Sequence, residues 1–116
     1  MAITSTLTTS FKVELLKGNH NFTNSSGDTY KLALYTSSAT LGATTTSFTT
    51  TGQASGTGYS TGGGTLTNVT PTSTGTTAVT DFSDLTFGTA TITARGCMIY
   101  NSSDSNKSVA TIDFGG

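Results

Sequence analysis

Hydrophobic residues along this chain recur mostly with a period of two, and turn-forming residues interrupt them every few positions. In "SSGDTYKLALYTSSA", Tyr30, Leu32 and Leu34 alternate with Lys31, Ala33 and Tyr35 between Gly27-Asp28 and Ser37-Ser38. That period belongs to a β-strand, whose successive side chains point to opposite faces. It returns in "ATITARGCMIYN", with Ile92, Ala94, Gly96, Met98 and Tyr100 on one side and Thr91, Thr93, Arg95, Cys97 and Ile99 on the other. It returns again in "SVATIDF", where Val109, Thr111 and Asp113 oppose Ala110, Ile112 and Phe114. The polar "NSSDSNKS" between these two segments is a turn, so they form a hairpin. Shorter pieces surround Leu66 and Val69, ending before Pro71, then start at Val79, then take in Phe82, Leu85 and Phe87. Residues 41–51, threonines around Phe48, read as a loop with a weak edge strand. The pattern predicts an all-β fold, a β-sandwich or jelly-roll-like barrel of short antiparallel strands.

One segment departs from that period. In "SFKVELLKG", Ser10 suits an N-cap, Phe11 and Leu15 stand at i and i+4, and Gly18 suits a C-terminal stop. This predicts one short N-terminal helix, although Phe11, Val13 and Leu15 also alternate as a strand would. Residues 1–9 read as an extended N-terminal arm, with Ile3 and Leu7 on one side, and residues 10–116 as a single β domain. The N-terminus lacks the basic and apolar regions of a secretory signal. No apolar run approaches the roughly 20 residues that span a bilayer. Cys97 is alone, so no intrachain disulfide forms.

Charged residues make up 9% of the chain, against about 25% in ordinary soluble domains. Serine and threonine take their place, at roughly 38% of all residues. Threonine fits a pleated surface and offers a hydroxyl without the desolvation cost of a charge. Such strands suit close contact with another protein and equally a plain solvent-facing β surface. A net charge of -1 and five scattered basic residues exclude an electrostatic nucleic-acid or membrane binder.

Six of the fourteen glycines fall in "GQASGTGYSTGGG". A phosphate-cradling loop would need a lysine directly after its glycines, and none is there. Gly56, Gly58 and Gly62 to Gly64 instead suit positive φ, bulges and tight corners. Tyr59, among them, packs over glycine backbone with its hydroxyl outward or meets a neighbouring chain.

Catalytic chemistry finds little material. Cys97 inside a strand reads as an inert thiol, and His20 in "GNHN" as a surface or backbone-bonded imidazole. Asp81 and Asp84 have the residue type of a glycosidase pair but read as strand-end caps. One His and one Cys are too few for zinc, while Asp28 and Asp104 with loop carbonyls leave an oxygen cage for calcium open. The chain is expected to have no catalytic residue, cofactor, metal site or small-molecule substrate.

Taken in order, "FKVELLKGNHNF", "GDTYKLALYTSSATL", "SGTGYSTGGGTLTNVTP", "VTDFSDLTF" and "TITARGCMIYNSS" resemble a group of small tailed-phage virion proteins, found among phages of cyanobacteria and other aquatic bacteria. The resemblance implies a capsid decoration or cement protein, made in the host cytoplasm and located on the capsid surface of the virion. Its implied partner is the major capsid protein, bound by a homotrimer. Ile3, Leu7, Phe11 and Tyr59 are the expected interface residues; Ile3, Leu7 and Phe11 equally suit capping the protein's own core. An alternative role is a tail, neck or fibre component that binds a receptor or glycan through Tyr30, Tyr35, Tyr59 and Tyr100.

Overall fold

The structure, a computed structural model, describes residues 2–115; Met1 and Gly116, at the outer ends of the expected arm and domain, lie outside them. The elements in chain order are β1 (Thr6–Leu7), α1 (Thr9–Leu16), β2 (Tyr30–Tyr35), β3 (Gly56–Thr57), β4 (Gly64–Thr65), β5 (Asn68–Thr74), β6 (Thr77–Phe82), β7 (Thr91–Ile92), β8 (Gly96–Asn101) and β9 (Lys107–Asp113). Five strands form an antiparallel sheet in the order β1-β9-β8-β2-β4, while β3–β7 and β5–β6 are separate two-stranded ribbons. The fold is all-β. A barrel does not close among the described residues, because the sheet ends on β1 and β4, two residues each, which do not pair with one another.

The core is organised around β2 and β8, which pair over six positions from Tyr30↔Asn101 to Tyr35↔Gly96. Both faces of this pair are covered. Ala33, Tyr35, Met98 and Tyr100 pack against Ile3, Ala39, Leu41 and Phe48 on one face. On the other, Tyr30 and Leu32 meet Phe11, Phe22, Leu66 and Phe82, and Leu34 and Cys97 meet Ala54 and Ile92. A strand covered on both sides carries apolar residues at consecutive positions, as "YKLALY" does.

Hydroxyls fasten the N-terminal segment to this sheet. β1 pairs with β9, and Ile3 forms a parallel bridge to Leu41. The Thr111 hydroxyl donates to the Thr4 carbonyl at 2.6 Å. Ser108 Oγ lies 2.9 Å from Thr8 Oγ1 and 2.7 Å from the Thr45 carbonyl. Thr8, Ser108 and Thr111 are all buried, so part of the abundant hydroxyl chemistry is internal cross-linking. Thr8 also caps α1, accepting from the Phe11 amide; the cap therefore stands two residues before the expected Ser10.

Three strand boundaries differ from the sequence pattern. β5 runs through Pro71, because the ladder shifts register between Val69 and Thr72 and that irregularity needs no amide there. Residues 83–87 form no strand. The alternation over 91–100 is split at 93–95, with β7 pairing β3 and β8 pairing β2 and β9. The β8–β9 hairpin forms as the sequence indicates.

The glycine stretch makes corners along the β4 side of β2. Gly63 has φ +83, and a Cβ there would collide with the Leu32 carbonyl. Past the short β4, the Leu34 amide donates to the Tyr59 hydroxyl at 2.9 Å, and that hydroxyl donates to Gln53 Oε1 at 2.7 Å. Tyr59 thus turns its hydroxyl inward and finishes the sheet edge.

Candidate interaction surface

Helix α1 is held at a fixed angle by a buried polar chain. His20 is buried rather than at the surface: its Nε2 lies 2.9 Å from Glu14 Oε1 and its Nδ1 lies 3.1 Å from Asn101 Nδ2. Asn101 Nδ2 also donates to Asp28 Oδ2 at 2.8 Å, and Asn101 Oδ1 accepts from the Ser103 amide. With an amide donor facing Nδ1, that nitrogen is the acceptor, and the hydrogen sits on Nε2 toward Glu14. The Phe11 ring packs against the imidazole with centroids 4.8 Å apart. The helix, the 20–28 loop and the end of β8 are thereby locked together.

Across from α1 stands the β5–β6 hairpin. Gly75, with φ +61, opens its two-residue turn. The hairpin is rooted near its base, where the Asn24 amide also donates to the Thr70 hydroxyl at 3.0 Å. Asn68 Nδ2 donates to the Thr23 and Asp28 carbonyls at 3.2 and 2.9 Å, and Phe82 packs near Tyr30 and Phe22. Every residue from Val69 to Asp81 is exposed.

Between helix and hairpin runs an apolar groove of about 410 Å³, lined by Leu7, Phe11, Leu15 and Phe22 on one bank and by Pro71, Ala78, Val79 and Thr80 on the other. Leu7, Leu15 and Val79 keep 47%, 45% and 43% of their surface exposed. Apolar side chains therefore face solvent along both banks. The arrangement supplies a concave, nearly uncharged seat, and no reacting group lines it.

Of the four expected interface residues, the structure brings Leu7 and Phe11 together, Leu7 on the bank and Phe11 at the buried floor. Ile3 is packed in the core on another face of the sheet, beside Tyr35 and Met98. Tyr59 belongs to the cluster around Leu34 and Cys97. The hairpin was not apparent as part of the site, because Pro71 reads as a stop; the sequence signal for it is the Thr74-Gly75-Thr76 turn between Val69 and Val79.

The remaining chemical candidates are engaged elsewhere. Burial pushes the Cys97 thiol up to about 11. Tyr30, Tyr35 and Tyr100 are buried, with the Tyr35 hydroxyl on the Thr49 carbonyl at 2.5 Å and that of Tyr100 on the Gly62 carbonyl at 2.6 Å. Asp104 pairs with Lys107, and Asp28 accepts from Asn21 and Asn101. Asp81 accepts from its neighbour's amide at 2.7 Å. No cluster of three or more His, Cys, Asp or Glu side chains suited to a metal occurs among the described residues. Compared with known proteins, the chain matches no family model, no curated protein and no solved structure.

Proposed function

We propose that this chain is a structural protein of a tailed-phage virion, a decoration or cement protein whose homotrimer binds the major capsid protein and stabilises the shell. The observation that carries the proposal is the open apolar groove between α1 and the free-standing hairpin. An apolar seat beside an exposed ribbon suits a part that adheres to a larger assembly. An apolar segment of the capsid protein fits the groove. Many copies, each spanning two capsomers, convert modest contacts into tight retention through effective concentration.

Quantitative mass spectrometry and imaging of purified particles test the role. The expected result is a copy number matched to the capsomers and a position over the shell. Absence from mature particles overturns the role, and a handful of copies at the tail or neck replaces it with the appendage role. Co-sedimentation with empty shells tests the site: Leu7→Asp with Leu15→Asp abolishes binding if the groove is the seat.

A further inference from the structure

Of the six charged side chains left among the described residues after the internal ion pairs are assigned, four lie on two surfaces of the same chain; the others are Lys31, half-buried on β2, and Asp28, half-buried and hydrogen-bonded to Asn101. Glu14 contacts His20, Arg95 pairs with Asp113, and Lys107 with Asp104. Among the described residues, the exposed cations left without a partner are Lys12 and Lys17, both at α1. The exposed carboxylates left without an ionic partner are Asp81 and Asp84, at the end of β6 and just beyond it.

Each pair of charges accompanies an exposed apolar pair. At about 100° per residue, Lys12, Leu16, Val13 and Lys17 follow one another around the arc of α1 turned away from Phe11. Leu16 is 90% exposed and Val13 53%. On the hairpin, Phe82 turns into the core, so strand alternation puts Val79 and Asp81 on the opposite, outward face. Register places Val69 across from Asp81 on that same face. One surface is therefore two aliphatic side chains flanked by lysines, and the other is two valines beside Asp81, with Asp84 three residues further along the chain.

We infer that these surfaces bind each other between copies: α1 of one chain packs on the outer face of the β5–β6 hairpin of the next, with Lys12 and Lys17 against Asp81 and Asp84. The occupant is a second copy because the complementarity lies within one sequence, lysines on one face and aspartates on the other. The contact is heterologous, so repeating it closes a ring or grows a filament; the homotrimer proposed above is the closed case, and the inference rests on that assembly role. It takes Val79 from one edge of the groove and leaves Leu7, Phe11 and Leu15 for the capsid protein.

Sedimentation of the purified full-length chain tests the contact. The wild type is expected as a finite oligomer of fixed mass that dissociates as salt is raised. Lys12→Glu with Lys17→Glu, and separately Asp81→Lys with Asp84→Lys, should each weaken association roughly tenfold or more. Combining all four changes in one chain restores opposite charges across the interface and should regain association, which also shows that the variants fold. A monomeric wild type, double variants that associate like it, or a fourfold variant that stays apart would each overturn the interface. A monomer that still sediments with shells removes this contact and leaves the virion role intact; an oligomer absent from particles does the reverse.

Discussion

Strands β2 and β8 bury side chains on both faces, whereas from Val69 to Asp81 the β5–β6 hairpin buries none. Both pairs carry antiparallel hydrogen-bond ladders. The difference lies in what the side chains touch. Ala33 and Tyr35 are enclosed on one face of the sheet, Tyr30 and Leu34 on the other, and that enclosure supplies the free energy that orders the chain. A two-stranded ribbon in water is marginal, and here it is secured by Asn68 and Phe82 at one end. Cohesion and adhesion are thus divided between two regions, and the division can be broken by mutation.

The largest effect is expected at the sheet centre. Tyr35 has no exposed surface, and Tyr35→Ala removes its ring from the cluster of Ile3, Leu41 and Met98. Urea unfolding should show a loss of about 3–5 kcal/mol. A loss below about 1 kcal/mol would mean that the central pair is not what holds the fold together.

Alkali should act on the same region. Burial holds the Cys97 thiol at about 11, above its ordinary 9.0, and burial moves Tyr30 and Tyr35 upward too. A group with a raised folded value keeps its proton more tightly when folded. The stability it contributes is complete below the unfolded value and is lost as pH rises through the folded one. For Cys97 the window is therefore pH 9 to about 11, with up to about 2–3 kcal/mol at stake. Thiol labelling should stay slow through pH 9 and accelerate only with unfolding; fast labelling of the folded chain at pH 8 would contradict the burial.

The junction between the two regions comes next. Asn101→Ala takes a partner from His20, Asp28 and the Ser103 amide together, and leaving buried groups unpaired costs about 1–3 kcal/mol. Because the network fixes α1, the variant should also weaken shell binding, and His20→Ala should do the same. Stability lost with shell binding unchanged would show that helix position does not shape the groove.

The sheet was legible where period two coincides with burial. β2 reads directly from Tyr30 to Tyr35, and the β8–β9 hairpin from its polar turn. The glycine corners were legible too, since no lysine stands ready for a phosphate and Gly63 needs a positive φ. What escaped depends on distant partners. His20 is buried through Asn101, 81 positions away, and no local pattern announces that. Pro71 reads as a terminator unless one knows that the ladder shifts beside it. Thr8 outranks Ser10 as the cap because β9 fixes where the helix starts: the Thr8 amide bonds to the Val109 carbonyl. Of the candidate site, Leu7 and Phe11 were visible as apolar residues near the start of the chain. The facing bank was not, because exposed threonine strands look alike whether they are idle or in use.

The smallest effect on stability is expected where the proposed adhesive role is greatest. Val69 and Val79 are 44% and 43% exposed and belong to none of the core clusters, so Val69→Ser with Val79→Ser leaves the core intact. The unfolding midpoint should shift by no more than about 0.5 kcal/mol equivalent. The same double variant strips the apolar centre from the hairpin's outward face and from one edge of the groove, so self-association and shell binding should both fall. Replacing Val79 alone, which lines the groove, and Val69 alone, which does not, separates the two surfaces: the first should affect both measurements, the second self-association only. A substantial loss of stability with unchanged association would reverse the assignment, making the hairpin a part of the fold's support and leaving the core strands alone no longer sufficient to explain it.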